Sequence, residues 1–214
     1  MSMELIKELR SRTGAGILDC KTALAENGND IEAAIDYLRA KGQAAAAKKS
    51  SRIAAEGLVH AYIHAGGRIG VLLEVNCETD FVANTDGFQD MVHDIAMHIA
   101  AANPDFVSKD EIDPAAMAHE REVQLERVKE EGKPAHIAEK IVEGRMSKWM
   151  QDVCLLEQPF IKDEDKTVGQ MISEAVGRIG ENIKVRRFVR YEVGEGLEKR
   201  SNDLAAEVAA TLKG

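Results

Sequence analysis

Aromatic residues are scarce in this 214-residue chain, at 4%. A core built without them must rest on Ala, Ile, Leu and Val, so any exposed ring asks for an explanation. Cysteine is scarcer still. Cys20, Cys77 and Cys154 lie far apart, form no CxxC pair and are odd in number, which argues against a disulfide framework and a structural zinc site. No apolar run is long enough to cross a bilayer. The opening stretch, MSMELIKELRSRTGA, is amphipathic and charged rather than a signal peptide, so the expected location is the cytosol. Net positive charge is lacking too. A formal charge of −9 and a pI near 5.3 argue against a surface that binds nucleic acid throughout, while leaving room for a local basic patch.

Catalytic motifs are also missing. Gly14-Ala15-Gly16 begins like a dinucleotide fingerprint, but Asp19 stands where its third glycine belongs and a helix, not a strand, precedes it. A helix-to-helix turn explains it better. There is no GxxxxGK[ST] phosphate loop and no serine in a nucleophile elbow. His60 and His64 are four apart without the glutamate of an HExxH zinc motif, and His93 and His98 face different sides of a helix. Cys77 sits beside Glu78 and Asp80, which raise a thiol pKa rather than lower it. No base-plus-orienter pair is found, so no enzyme, cofactor or metal is expected.

What is there is a foldable chain, 44% hydrophobic and 30% charged. Leu5, Ile6 and Leu9 have helical spacing, and Thr13–Gly16 breaks that helix. Ile17, Ala23 and Leu24 mark a second helix that ends at Asn27-Gly28-Asn29. Asp30 starts a third, with Ile31, Ala34, Ile35 and Leu38 on one stripe, and Gly42 closes it. Residues 1–42 therefore read as a three-helix bundle. Residues 43–55, rich in Ala and Lys, read as a helical or partly flexible linker carrying Lys48, Lys49 and Arg52.

Residues 56–193 read as an α+β core. Period-two alternation over 57–64 and an apolar run over 69–76, joined by Ala65-Gly66-Gly67, predict a β-hairpin. A third strand follows near 183–192, with Ile183, Val185, Val189 and Tyr191 on one face and Lys184, Arg186 and Arg190 on the other. The expected fold class is α+β with a three-stranded antiparallel sheet. Helices are predicted over 85–102 and 167–178. Two more, joined by Gly132-Lys133-Pro134, make a protruding hairpin at about 114–152 with Val123, Val128, Ile137 and Ile141 on its apolar stripe. A tail, 194–214, is expected to be helical over about 199–212. Gly67-Arg68-Ile69-Gly70 recurs as Gly177-Arg178-Ile179-Gly180, a match that chance explains as well as ancestry.

Two features stand out. Lys184, Arg186, Arg187 and Arg190, with Lys48 and Lys49, could meet RNA, although a solvated sheet face with cross-strand pairs is the simpler reading. The stretch Cys77–Asn84 joins an apolar strand to an amphipathic helix, where function often sits. Either Phe81 plugs the local core and Asp80 caps the next helix, or the pair is functional.

Several stretches resemble the elongation factor Ts family: Glu74-Val75-Asn76-Cys77-Glu78-Thr79-Asp80-Phe81-Val82-Ala83, Leu9 through Lys21, Gly132-Lys133-Pro134, Gln158-Pro159-Phe160 and Ile179-Gly180-Glu181-Asn182-Ile183. They fall in family order along nearly the whole chain. The resemblance implies a ubiquitin-associated type of N-terminal bundle, a dimerisation-type core and guanine nucleotide exchange on elongation factor Tu. It implies that Thr79, Asp80, Phe81 and Val82 form the loop that disturbs the client's switch II and Mg²⁺ site. Ile179 and Gly180 match a second contact loop. His64 matches a contacting histidine that longer members carry in a second sheet copy. Arg10, Ile17 and Leu18 match residues that grip a helix of the client's GTPase domain, one of Ile17 and Leu18 being expected in the bundle core. This chain has a single set of strands, so a homodimer or two-plus-two complex is implied, with no direct nucleic acid and no membrane. A ubiquitin-binding adaptor would leave most of the chain unexplained.

Overall fold

Hydrogen-bonding side chains and turn residues divide the chain much as its sequence suggests. The computed structural model describes residues 2–197, in the order α1 (Met3–Thr13), α2 (Ile17–Glu26), α3 (Ile31–Lys49), β1 (Glu56–Ile63), β2 (Ile69–Cys77), α4 (Asp80–Ala83), α5 (Asp86–Ala102), α6 (Pro114–Glu130), α7 (Ala135–Val153), β3 (Pro159–Phe160), β4 (Asp163–Thr167), α8 (Val168–Ile179) and β5 (Lys184–Glu192). The helix expected over 199–212 lies outside the described residues. Ser2 caps α1 by accepting the Leu5 N–H, and Asp30 caps α3 by accepting the Ala33 N–H. Ile6, Leu9, Cys20, Ala23, Leu24 and Ala34 bury a small core among these first helices.

Gly42 does not close α3, contrary to its sequence reading. The helix continues to Lys49, so the first part of the 43–55 stretch is helical, and Ala46 packs against the main core. The reason lies across the interface. A Cβ on Gly177 of α8 would sit 2.9 Å from the Gly42 Cα. Gly177 lets α8 cross α3 at close range, and that packing overrides the modest helix penalty of Gly42.

The main sheet has the order β1-β2-β5, antiparallel throughout. Its inner rows are Leu58–Val75–Val185, His60–Leu73–Phe188 and Tyr62–Val71–Arg190. Phe88, Val92, Ile95 and Ile99 of α5 complete the core beneath them, with Val168, Ile172 and Val176 of α8 alongside. A bulge corrects the expected faces of β5. Glu74 pairs with Arg187 but its neighbour Val75 pairs with Val185, leaving Arg186 as the inserted residue. The insertion reverses the alternation. Val189 and Tyr191 thus turn to solvent while Arg190 turns inward, its side chain 9% exposed and hydrogen-bonded to the Ala100 carbonyl.

β3 and β4, not anticipated, form a separate two-stranded ribbon, since Asp163–Thr167 (DEDKT) lacks apolar alternation. His98 lies buried beside the ribbon. It donates from Nε2 to Gln158 Oε1 at 2.9 Å and accepts the Ile161 N–H at Nδ1 at 3.3 Å. The neutral ring satisfies both neighbours, and burial pushes its pKa down. Helices α6 and α7 bury Val128, Ala138, Val142 and Met146 in a core of their own, whereas Ile137, placed on the stripe by sequence, faces outward.

Two outcomes are expected from this packing. Gly177→Ala should lower stability by about 1–3 kcal/mol, because its Cβ collides with backbone. Gly42→Ala, whose Cβ finds its nearest neighbour at 3.8 Å, should be neutral or stabilising by up to about 1 kcal/mol. Denaturant titration of both separates them. Stability should be full above about pH 6.5, the unfolded histidine pKa, and fall as pH drops below it, because the unfolded chain takes up the proton that His98 and His60 resist in the fold. Urea midpoints compared at about pH 5.5 and 7.5 measure this, and a flat profile would contradict it.

Candidate functional site

The inner alternation of β2 delivers Cys77 into the core, and the chain must turn immediately afterwards. The Cys77 thiol donates to the Thr79 carbonyl at 3.2 Å, and its pKa is pushed up by burial first and by the Glu181 charge second. It is an inert buried thiol, not a nucleophile. Thr85, rather than Asp80, caps α5 by accepting the Phe88 N–H, and Thr79 caps the helical turn α4, its Oγ1 accepting the Val82 N–H at 3.4 Å. The sequence reading missed this single turn, α4. It buries Ala83 and packs Val82 against the core. At about 100° per residue, that leaves Asp80 and Phe81 pointing away. Phe81 is 82% exposed, so it does not plug the core.

A carboxylate from a distant segment holds this turn. Glu181 Oε2 accepts the Glu78 and Thr79 N–H groups, each at 3.0 Å, and Oε1 accepts the Thr79 hydroxyl at 2.6 Å. The bonding is returned, because Glu78 Oε1 accepts the Asn182 N–H at 2.7 Å and meets Arg52 Nη1 at 3.4 Å. Buried Asn182 donates from Nδ2 to the carbonyls of Arg52 at 2.7 Å and Ser50 at 3.4 Å. Three segments meet here: 50–53, 78–82 and 179–182. Gly180, at φ 89°, ends α8 in the left-handed conformation and turns the chain toward this junction. Ile179 is half-buried on the main core. Ile53, in the first of these segments, is 85% exposed and escaped the sequence reading.

Of the remaining candidates, Ile17 and Leu18 begin α2 just after the Gly14–Gly16 turn. Both are exposed, so neither belongs to the bundle core as expected of one of them. Arg10 is exposed on α1. This turn leans on α8, where the Arg178 side chain lies close enough that a Cβ on Gly14 would sit 3.2 Å from its Cδ. His64 stands apart. It follows β1 at the end opposite Glu56, which pairs with Cys77, so a strand roughly 25 Å long separates it from the 79–82 turn. Its Nδ1 meets the Tyr62 hydroxyl at 3.0 Å. His60 bonds not to His64 but to His93, at 3.3 Å, and no group of three potential metal ligands occurs among the described residues.

The three arginines of the cationic run on β5 are engaged by carboxylates. The bulge aims Arg186 and Arg187 at the two oxygens of Glu74, at 2.8 and 2.7 Å, and they hold that carboxyl below its usual range. Arg190 pairs with Glu192 at 2.9 Å. Cross-strand pairing thus accounts for Arg186 and Arg187, and a pair within β5 for Arg190, without RNA.

A family model described as Elongation factor TS matches residues 4–195. The chain belongs to the elongation factor Ts family. Curated relatives named Elongation factor Ts include those of Desulforamulus reducens, 61% identical over 213 residues covering 100% of this chain and 98% of the relative. That of Geotalea daltonii is 58% identical over 205 residues, or 96% and 95% of the two chains. That of Syntrophomonas wolfei is 56% identical over 213 residues, covering both chains in full. Membership in the elongation factor Ts family assigns the chain to protein biosynthesis at the elongation stage. Within this elongation factor Ts chain the junction around Glu181 and Asn182 was legible in the sequence only as part of the family motif Ile179–Ile183. The one local signal was a carboxylate directly after the helix-ending Gly180.

Proposed function

We propose that the chain is a guanine nucleotide exchange factor for elongation factor Tu, and that it acts by inserting Asp80 and Phe81 beside the client's switch II and Mg²⁺ site. The observation that carries this reading is Phe81, a large ring 82% exposed on a turn pinned from behind by Val82 and Ala83. A ring so placed does nothing for the fold. Burying it in a client cleft is worth about 2 kcal/mol. Asp80 beside it brings a negative charge to a site whose cation holds the diphosphate.

Exchange needs no covalent chemistry. The factor must bind the nucleotide-free client more tightly than the GDP-bound client, since only differential affinity shifts an equilibrium. The coupling is reciprocal, so a returning nucleotide expels the factor. Ile179 and Gly180 supply a second contact beside Thr79–Val82, and Arg10, Ile17 and Leu18 supply a third from the N-terminal residues 1–42, which we read as the ubiquitin-associated-like domain that holds the GTPase. No described helix is long and apolar enough to cross a membrane. A cytosolic location follows from the translational role.

His64 is too far along its strand to serve the same client contact as Phe81 on one subunit. A second copy of the chain would resolve this. The outer face of the sheet presents the rows Ala61–Leu72–Val189 and Ile63–Gly70–Tyr191, with Val59 beside them, and Ile63, Leu72 and Tyr191 are all exposed. An apolar face spanning three strands is larger than scattered surface residues explain. A two-fold pairing of two such faces buries it in a self-complementary way. We propose a homodimer through this face and a two-plus-two complex with the client.

Phe81→Ala and Asp80→Ala should each slow GDP release from elongation factor Tu about tenfold or more while changing stability by less than about 0.5 kcal/mol, as expected of exposed positions. Stopped-flow release of fluorescent GDP, with denaturation of the free factor, measures both. Wild-type release rates in the two variants would retire the loop. Sedimentation should give a dimer that Leu72→Lys converts to monomer, and a monomeric parent chain would remove the dimer proposal.

A further inference from the structure

Deepening the proposed exchange reading, on which it rests, we infer that Glu181 is the positioning residue of the exchange loop, locking Asp80 and Phe81 into the orientation that meets the client. The problem it solves is visible in α4. A helix of four residues cannot hold itself, because nucleation costs more than so few bonds return. Phe81 has no packing of its own to orient it. Its direction is therefore set by how firmly the backbone ahead of it is anchored. Glu181 anchors that backbone at three donors, the Glu78 and Thr79 amides and the Thr79 hydroxyl. Bonds to an ionised acceptor are about twice as strong as neutral ones.

The clamp is mutual. Glu181 takes hydrogen bonds from the 78–79 backbone, and Glu78 takes one from the Asn182 N–H. Two loops more than a hundred residues apart, both assigned to client contact, are thus joined as one body by two carboxylates. Thr79 also serves as the α4 cap, so its hydroxyl hydrogen goes to Glu181 while its lone pair receives the Val82 N–H. That single side chain transmits the anchor into the helical turn that carries Phe81. Without the anchor the loop would have to be ordered on docking, and preorganisation would be lost.

The test uses full-length Glu181→Ala, Glu181→Asp and Glu181→Gln with elongation factor Tu loaded with fluorescent GDP, and hydrogen exchange at single amides of the free factor. Glu181→Ala should lose protection at the Glu78 and Thr79 amides and slow GDP release at saturating factor roughly tenfold, the scale on which one lost tight contact acts. Glu181→Gln keeps an oxygen for the two amides and an N–H for the Thr79 hydroxyl, so it should stay within about threefold of wild type. Should Glu181→Ala not fold, Glu181→Asp, too short to reach all three donors, carries the same test with partial loss. If Glu181 acts through the loop, Glu181→Ala added to Phe81→Ala should slow release no further. Additive slowing in the double variant, wild-type release from Glu181→Ala, or unchanged protection at residues 78 and 79 would each overturn the inference. Wild-type release from Phe81→Ala alone would instead overturn the exchange-loop reading. Amide exchange, which needs no client, tells the two failures apart.

Discussion

Burial of one face of β2 is the constraint on which the other features depend. Val71, Leu73, Val75 and Cys77 all point into the core under α5, and period two leaves no freedom for the residues between them. Leu72 must face outward, which places an apolar row on the far side of the sheet. Cys77 must end the strand buried, which starts the following turn at the core edge. A one-residue slip would move the launch point of Phe81 as well as invert the sheet. The site and the proposed dimer face are two consequences of a single register.

The molecule separates rigidity from exposure. The groups that hold the 78–82 turn are buried or half-buried: Cys77, Val82, Ala83, Glu181 and Asn182. Asp80, Phe81, Ile17 and Leu18, four of the residues proposed to meet the client, are exposed. Such a division suits a protein that must present apolar surface to a partner without collapsing onto it. Electrostatics serve the same end. Glu74 collects Arg186 and Arg187, and Glu192 collects Arg190, so the three arginines of β5 are each tied to a carboxylate.

The elements legible from sequence were those with strong periodicity and clear punctuation. Asp30 capped its helix, Ala65-Gly66-Gly67 joined two strands, and the apolar spacing of α5 was plain. Phe81 drew notice because rings are rare here. The misread positions had a common cause. Gly42 looks like a stop, but α3 runs on through it because the packing against α8, where Gly177 has no room for a Cβ, outweighs the local preference of glycine. Val189 and Tyr191 look inward by counting from Val185, but the inserted Arg186 changes the parity, and no local pattern announces it. Asp80 looks like a cap for α5, but an unforeseen turn, α4, intervenes and Thr85 caps that helix.

By itself the sequence determined the element order, the α+β class, the absence of catalytic motifs and the family, because these depend on local propensity and on ordered motifs along the chain. Tertiary structure alone decided which of two faces each β5 residue occupies, whether Phe81, Ile17 and Leu18 are buried, and what anchors the 78–82 turn. The physical reason is that each of these depends on a partner far away in sequence. The bulge exists only opposite Glu74. The exposure of Phe81 follows from Val82 and Ala83 meeting the core. The anchor of Thr79 is a carboxylate more than a hundred residues along the chain.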